Sequence, residues 1–491
     1  MRFARCENVS QPWLGKRFAT FAAIEDDWDD AAARVPSSCR DSGPGMTQNV
    51  QVSSLSRELS RLLRHAHVRN FLLLFSAGGG ARVLQVAAYP LLLFIYTPAQ
   101  FGLFAGFTTI ATVAAAFATM RYELAIPVSR SVKHAAGIVA LCVIASGILG
   151  VMMIFAFGLL PHTLLGWMGL PGLESVAWLT AFSMFGVSVY GALTYWAVRF
   201  GAFREIARTQ IVKAAGELGT QIALGFAGSG VWGLAIGNVV GMCAGIGSLL
   251  RVGSLGKLAP QSAVRLFTLA KSWRDFPIYS GTAGLLSQAS TRFTLVALGA
   301  MFSPAALGLL WAGFAILEAP TSIIAVAAGR VYYQRASEIW REQPERLRGL
   351  FLKTVGSAFV ISLAGGMLAF FLLPWLMHMA LPARWAGASG LVRALIPAYI
   401  GQLSIIPFTT YGIVRRQRWQ LVWDALNLVA NLGVVAYGHF TGAGLETLVT
   451  LLSLTRFVAF AAIVPIHMHI LKPPAREDAL NVRARTEISG M

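Results

Sequence analysis

Residues Ser76–Leu103 read SAGGGARVLQVAAYPLLLFIYTPAQFGL, and a second stretch, Thr282–Leu309, reads TAGLLSQASTRFTLVALGAMFSPAALGL. Ser76-Ala77-Gly78 aligns with Thr282-Ala283-Gly284, Thr97-Pro98-Ala99 with Ser303-Pro304-Ala305, and Gly102-Leu103 with Gly308-Leu309. Every match has the same offset of 206 residues, without a gap. Apolar helices resemble one another by chance because their alphabet is small. A constant offset through a helix, a proline turn and the start of the next helix is much harder to obtain that way. The chain therefore reads as two tandem copies of one membrane unit.

Composition agrees. Of 491 residues 56% are hydrophobic and 13% charged, with mean hydropathy +0.62. A soluble domain carries about 25% charged residues, so no water-facing surface can be built from this chain. The apolar runs approach the ~20 residues that cross a bilayer. The expectation is an all-α polytopic membrane protein; run length and missing alternation exclude a β-barrel. A formal charge of +18 in a soluble protein would suggest nucleic acid. Here the basic residues collect in loops, where they fix orientation and meet anionic lipid, so no nucleic-acid partner is expected. Cys6, Cys39, Cys142 and Cys243 have no metal or CxxC spacing, and neither a metal nor another cofactor is expected.

Twelve spans are predicted, near 70–96, 101–121, 135–160, 175–200, 207–227, 231–251, 277–300, 305–330, 350–373, 390–413, 418–438 and 446–469. Alternate connections hold the basic residues: Arg130 and Lys133; Arg199, Arg204 and Arg208; Lys257, Arg265, Lys271 and Arg274; Arg335, Arg341, Arg346, Arg348 and Lys353; Arg415, Arg416 and Arg418. The opposite loops hold only Arg384. That bias puts both termini in the cytoplasm. Six helices per copy is an even number, so the copies are parallel repeats about an axis along the membrane normal. The organisation is a disordered tail over 1–54, with Met46 a candidate start, and a cytoplasmic amphipathic lead-in helix over 55–69. An N-lobe over 70–252 follows, then an inter-lobe linker over 253–276, a C-lobe over 277–472 and a cytoplasmic tail over 473–491. The external stretch Leu373–Gly390, with Trp375, His378, Pro382 and Trp385, is expected to skim the interface. The histidines, His467 among them, are read as solvated side chains near membrane ends.

Charge inside the bilayer carries the functional signal, because each ionised residue there costs roughly 2.5–3.5 kcal/mol and asks for a partner or a wet cavity. Arg82 sits near the middle of the first span and Arg292 near the middle of the seventh. Under the repeat offset Arg292 falls on Val86, one turn from Arg82. Both can point into a central cavity, joined by Arg456 and Arg393. Guanidinium groups stay charged and fork onto phosphate oxygens, so an anion suits them; the alternative for Arg292 is an ion pair with Glu318. Asp424, Asn427 and Asn431 form a polar stripe at helical spacing, suited to interhelical hydrogen bonds or to sugar hydroxyls or a coupling ion. Glu217, four residues from Lys213, is suited to a local salt bridge. Glu217, Glu318 and Asp424 are the candidate proton or sodium carriers. Gly78-Gly79-Gly80 marks a weak or closely packed segment of the first span. No nucleophile–base pair or phosphate loop stands out, and an enzyme is not expected.

Three motifs then carry a resemblance. Tyr96-Thr97-Pro98 with Phe101-Gly102 resembles a YTPxxFG turn. Arg121-Tyr122-Glu123 with Ala125-Ile126 resembles an RYExAI segment, and Asp275-Phe276-Pro277 with Tyr279 is similar to DFPxY. Over roughly Leu63–Pro473 the chain resembles the polysaccharide biosynthesis, O-antigen translocase-like branch of the multidrug/oligosaccharidyl-lipid/polysaccharide exporter superfamily. The resemblance implies a flippase of the bacterial inner (plasma) membrane. Its substrate would be an undecaprenyl-diphosphate-linked glycan, moved between leaflets for surface polysaccharide such as lipopolysaccharide. Partners would be membrane lipid and the polymerase and glycosyltransferases of the same pathway. Outward movement of the diphosphate is favoured by an inside-negative potential, about 2.3 kcal/mol per charge per 100 mV. On this reading the lobes rock in alternating access, with Arg82 and Arg292 holding the diphosphate. Two other readings stand beside it: a cation-coupled multidrug exporter, which the basic excess in the spans opposes, and a membrane glycosyltransferase or polymerase, for which no large external loop or cytosolic domain is visible.

Overall fold

The computed structural model describes residues 66–471 apart from 130, 160, 168–169, 171, 253–262, 275–280, 282–293, 296 and 406–417. Side chains before Gly80, and that of Arg82, also lie outside the description. The tails expected over 1–54 and 473–491, most of the lead-in helix, the seventh span up to 293 and the DFPxY motif therefore fall outside the described residues.

The chain from Arg69 onward forms one compact unit. Its long helices are α1 Ala66–Ile95, α2 Pro98–Thr119, α3 Val132–Leu159, α4 Ala177–Arg199, α5 Phe203–Phe226 and α6 Val231–Leu249. After residue 293 come α7 Pro304–Glu342, α8 Leu347–Ala380, α9 Ala388–Ser404, α10 Arg418–Thr441 and α11 Leu445–Ile470. Among the described residues seven helices are long and apolar enough to cross a membrane: α2, α3, α4 with its leading turn, α6, the first part of α7, α8 and α11. α5 falls short because Arg204, Glu205, Arg208, Lys213 and Glu217 interrupt it. Deeper along it, Glu217 accepts from Asn238 and Gln221 donates to Leu234 O of α6, while Arg204 and Arg208 near its start are exposed. Large apolar side chains stand exposed along these helices, as at Phe155, Leu159, Leu368 and Phe371, the surface a bilayer covers.

α2 and α7, the helices that follow the two proline turns, pack directly on one another. Each starts the same way. Thr97 and Ser303 sit in extended backbone before a proline and cap the first turn with their hydroxyls, the chemistry expected of an N-cap followed by proline at N1. The contact is reciprocal. A Cβ on Gly102 would collide with the Pro304 carbonyl, and a Cβ on Gly308 would collide with the Pro98 carbonyl. Two positions related by the repeat offset thus meet each other's partners, as a local twofold requires, and only glycine permits that approach.

The same turn creates a second contact. A helix end leaves its last carbonyls without donors. Phe94 would look to residue 98, but Pro98 has no N–H. Leu93 would look to Thr97, whose N–H instead donates to Gln100 Oε1 at 2.9 Å. Both carbonyls are capped from the other half of the chain. Trp385 Nε1–H donates to Leu93 O at 2.7 Å, and the Arg384 guanidinium donates to Phe94 O. Trp385 is 1% exposed and meets Phe101 edge-on, centroids 5.6 Å apart. Of the stretch expected to skim the interface, Trp375, His378 and Arg384 are exposed while Trp385 is buried. α8 runs through Pro374 to Ala380, and Trp385 in the short turn beyond it plugs into the other half. Tyr96 completes the turn, its hydroxyl donating to Gln221 O of α5 at 2.6 Å.

At the opposite end, the RYExAI segment builds a tight turn. Met120 and Arg121 take positive φ, Arg121 pairs with buried Glu123 at 3.9 Å, and the Tyr122 hydroxyl donates to Ala270 O at 3.2 Å. Arg199 Nη1 donates to the carbonyls of Ile126, Pro127 and Ser129 at 2.8–3.2 Å. Ala270 belongs to a ten-residue helix, Ala263–Ser272, inside the stretch read as linker. His467, expected to be solvated, is buried and stacks on Phe351 at 4.8 Å.

Candidate functional site

A cavity of about 970 Å³ opens within the bundle. It draws on α1 (Gln85, Val86, Tyr89, Pro90, Leu93) and α7 (Trp311, Phe314, Ala315, Ile316, Glu318). α8 and its C-cap Leu381 supply an apolar wall from Leu373 onward, and α9 supplies Tyr399 and Gln402. α10 contributes Trp423, Asp424, Asn427 and Asn431, and α11 contributes Arg456 and Phe460. Most of these residues have another lining residue three or four positions away on the same helix, so each helix turns one face inward. Leu93, whose carbonyl Trp385 caps, belongs to this lining, so the plugged turn sits beside one end of the cavity.

Five sequence-predicted residues meet here: Arg456, Glu318, Asp424, Asn427 and Asn431. The Tyr399 hydroxyl reaches the Glu318 carboxylate and lies 3.4 Å from Phe314 O. Arg456 interacts electrostatically with both Glu318 and Tyr399. Glu318 thus has a cationic neighbour in Arg456 of α11. The sequence reading had offered Arg292 for that role, and residue 292 lies outside the described residues. Asn427 Nδ2 donates to Trp423 O at 3.1 Å, back along its own helix. Among the described lining residues the charges are one guanidinium and two carboxylates.

The other candidates lie elsewhere. Arg393 is exposed, its guanidinium 5.4 Å from the Phe370 ring centroid, and does not line the cavity. The Arg82 side chain is outside the description, but position 82 stands three and seven residues before Gln85 and Tyr89, on the helical face that lines the cavity. Glu217 belongs to a separate network in the first half. Its Oε1 accepts from Asn238 Nδ2 at 3.0 Å, and Asn238 Oδ1 accepts from Ser183 Oγ at 2.7 Å. Lys213, one turn earlier, supports Glu217 electrostatically and stands 5.3 Å from the Tyr190 ring centroid. Gly237 and Gly241 let α6 approach α5 closely at Glu217.

Sequence reasoning missed Trp311, Tyr399, Gln402, Gln85, Tyr89 and Trp423. A search for charge passes over neutral polar and aromatic groups. The signal present was spacing: Tyr399 and Gln402 stand three apart on one helix, and Gln85 and Tyr89 four apart. Trp311 is the sharpest omission. It lines the cavity, and its buried Nε1–H has no hydrogen-bond partner among the described residues.

A family model described as "Polysaccharide biosynthesis protein" matches residues 92–390. No curated protein matches the chain by sequence. Solved structures share its fold. The lipid II flippase MurJ, in an inward closed conformation, superposes with TM-score 0.60 at 11% identity, covering 79% of this chain and 86% of that one. A multidrug/oligosaccharidyl-lipid/polysaccharide (MOP) superfamily transporter from Pyrococcus furiosus, noted for the reversed polarity of its binding pocket, gives TM-score 0.55 at 16% identity, with 88% and 100% coverage. An inward-facing multidrug resistance transporter of the MATE family gives TM-score 0.52 at 18% identity, with 81% and 94% coverage. At these identities the likeness shows a fold.

Proposed function

The chain belongs to the polysaccharide biosynthesis protein family, and from that premise we propose that it is a flippase for a lipid-linked oligosaccharide. It carries an undecaprenyl-diphosphate-linked glycan across the bacterial inner membrane for surface polysaccharide assembly. The carrying observation is the polar cavity inside an apolar bundle, where buried polar groups need a partner. The proposed plan is twelve spans in two parallel six-helix halves, 70–252 and 277–472, with both termini cytoplasmic. The reciprocal Gly102 and Gly308 contact supports the two-half plan. The halves alternate access around the cavity. Arg456 and positions 82 and 292 meet the diphosphate, while the lipid tail stays in the bilayer. Glu217, Glu318 and Asp424 are the groups available to a coupling ion. Arg393, stacked on Phe370, is proposed to act only at the rim. Polymerase and glycosyltransferases of the same pathway are the proposed partners.

The test is translocation of a fluorescent undecaprenyl-diphosphate-linked disaccharide in proteoliposomes. Protein-dependent movement between leaflets is expected, and its absence with folded protein refutes the reading. Replacing Arg82 and Arg292 by alanine is expected to stop surface glycan assembly while membrane insertion persists; normal export would remove both from the site. A cation-coupled exporter is the second reading, favoured by Glu318 and Asp424 facing the cavity. Efflux of cationic dyes without glycan translocation would select it.

A further inference from the structure

We propose that the C-half of the cavity is a saccharide subsite selective for neutral or amino-bearing sugars over uronic acids. The inference rests on the flippase reading and names which part of the substrate the described cavity holds. Two kinds of group recognise a pyranose. An aromatic ring covers its apolar C–H face. Amide and carboxylate side chains pair with neighbouring hydroxyls, the carboxylate only accepting and the amide doing both. Both kinds line this one cavity: the aromatic residues Trp423, Tyr399 and Trp311, and the fork-shaped polar groups of Asp424, Asn427 and Gln402. Trp311 adds a buried N–H without a partner among the described residues. Such a donor costs free energy unless a ligand acceptor meets it, and a sugar hydroxyl or acetamido carbonyl is such an acceptor.

Charge sets the selectivity. The described lining holds Glu318 and Asp424 against Arg456 alone, and Arg456 already faces Glu318 and Tyr399. Among the described lining residues, a sugar carboxylate placed here would sit beside like charge with no uncommitted cation, an arrangement that excludes the wrong ligand. Hydroxyl, acetamido and ammonium groups meet no such barrier. The diphosphate, being anionic, is held away from Asp424, toward the cations proposed above to meet it.

The test uses the full chain in nanodiscs and three soluble short-chain probes: farnesyl diphosphate, the same lipid carrying a neutral hexose disaccharide, and the same lipid carrying a hexuronic acid disaccharide. The neutral glycolipid is expected to bind at least tenfold tighter than bare farnesyl diphosphate, and the uronic one no tighter than bare. Asn427→Ala is expected to cut the preference for the neutral glycolipid at least fivefold while bare diphosphate affinity stays within threefold. Asp424→Asn is expected to improve uronic binding at least fivefold. Each variant is first checked for an unchanged melting temperature and elution profile; should Asn427→Ala fail that check, Trp311→Phe serves instead, removing the N–H while keeping a smaller aromatic ring. Equal wild-type affinity for neutral and bare lipid, or for neutral and uronic lipid, overturns the subsite and leaves the flippase reading standing. Binding of none of the three overturns the flippase reading, and this inference with it.

Discussion

Trp385→Phe tests the plugged turn beside the cavity. The substitution keeps an aromatic ring against Phe101 and removes one N–H. That N–H now donates to Leu93 O at 2.7 Å in a buried setting. No backbone donor can replace it, because the Thr97 N–H is committed to Gln100 Oε1. The carbonyl is left buried and unsatisfied, which costs about 1–3 kcal/mol. At about 1.4 kcal/mol per tenfold, the undocked population should rise roughly 5- to 150-fold. Smaller ring volume adds to the same sign. Hydrogen exchange in nanodiscs reads this directly, in peptides covering residues 92–104 and 382–390, where exchange of the docked turn follows the open fraction. Exchange should accelerate in both peptides and stay constant around the remote Arg199 turn. Exchange within twofold of wild type, in protein that melts normally, would refute the argument that Trp385 caps an orphan carbonyl. It would mean that water reaches Leu93 O.

Other perturbations probe the remaining contacts. Gly102→Ala and Gly308→Ala each drive a methyl into the opposing proline carbonyl and should cost about 1–3 kcal/mol by overpacking. Their effects should be non-additive because they strain one contact, which a thermal-melting double-mutant cycle will show. Arg199→Met removes three carbonyl contacts in the turn after Ile126 and should lower stability by about 1–3 kcal/mol, with glycan translocation by the surviving folded fraction unchanged. Arg456→Ala leaves Glu318 without its cationic neighbour among the described residues. It should reduce lipid-linked glycan translocation at least tenfold, and Arg456→Ala/Glu318→Gln should recover stability but not transport.

Much of the fold was legible because its causes are local. The Pro98 and Pro304 turns, their Thr and Ser caps and the 206-residue offset stand in the sequence, and the structure places both glycines of the repeat at one contact. Arg121-Tyr122-Glu123 was legible as the end of a helix. That Glu123 is buried there, and that Arg199 closes the following turn, was not. Half of the site was legible too. Charges such as Glu318, Asp424 and Arg456 stand out in apolar helices, where their cost is high. Trp311, Tyr399 and Gln402 stand out less, because they carry no charge and aromatic residues are common near the ends of membrane helices.

By itself the sequence determined an all-helical membrane chain, since helix-length apolar runs are properties of single segments. Only the tertiary structure decided which residues share a space. Arg456 comes beside Glu318, Trp385 reaches a carbonyl 292 residues away, and Arg393 turns outward onto Phe370. The reason is rotation. A helix buried in lipid and protein alike has no strong apolar stripe to fix its facing, so packing against its neighbours sets which groups line a cavity.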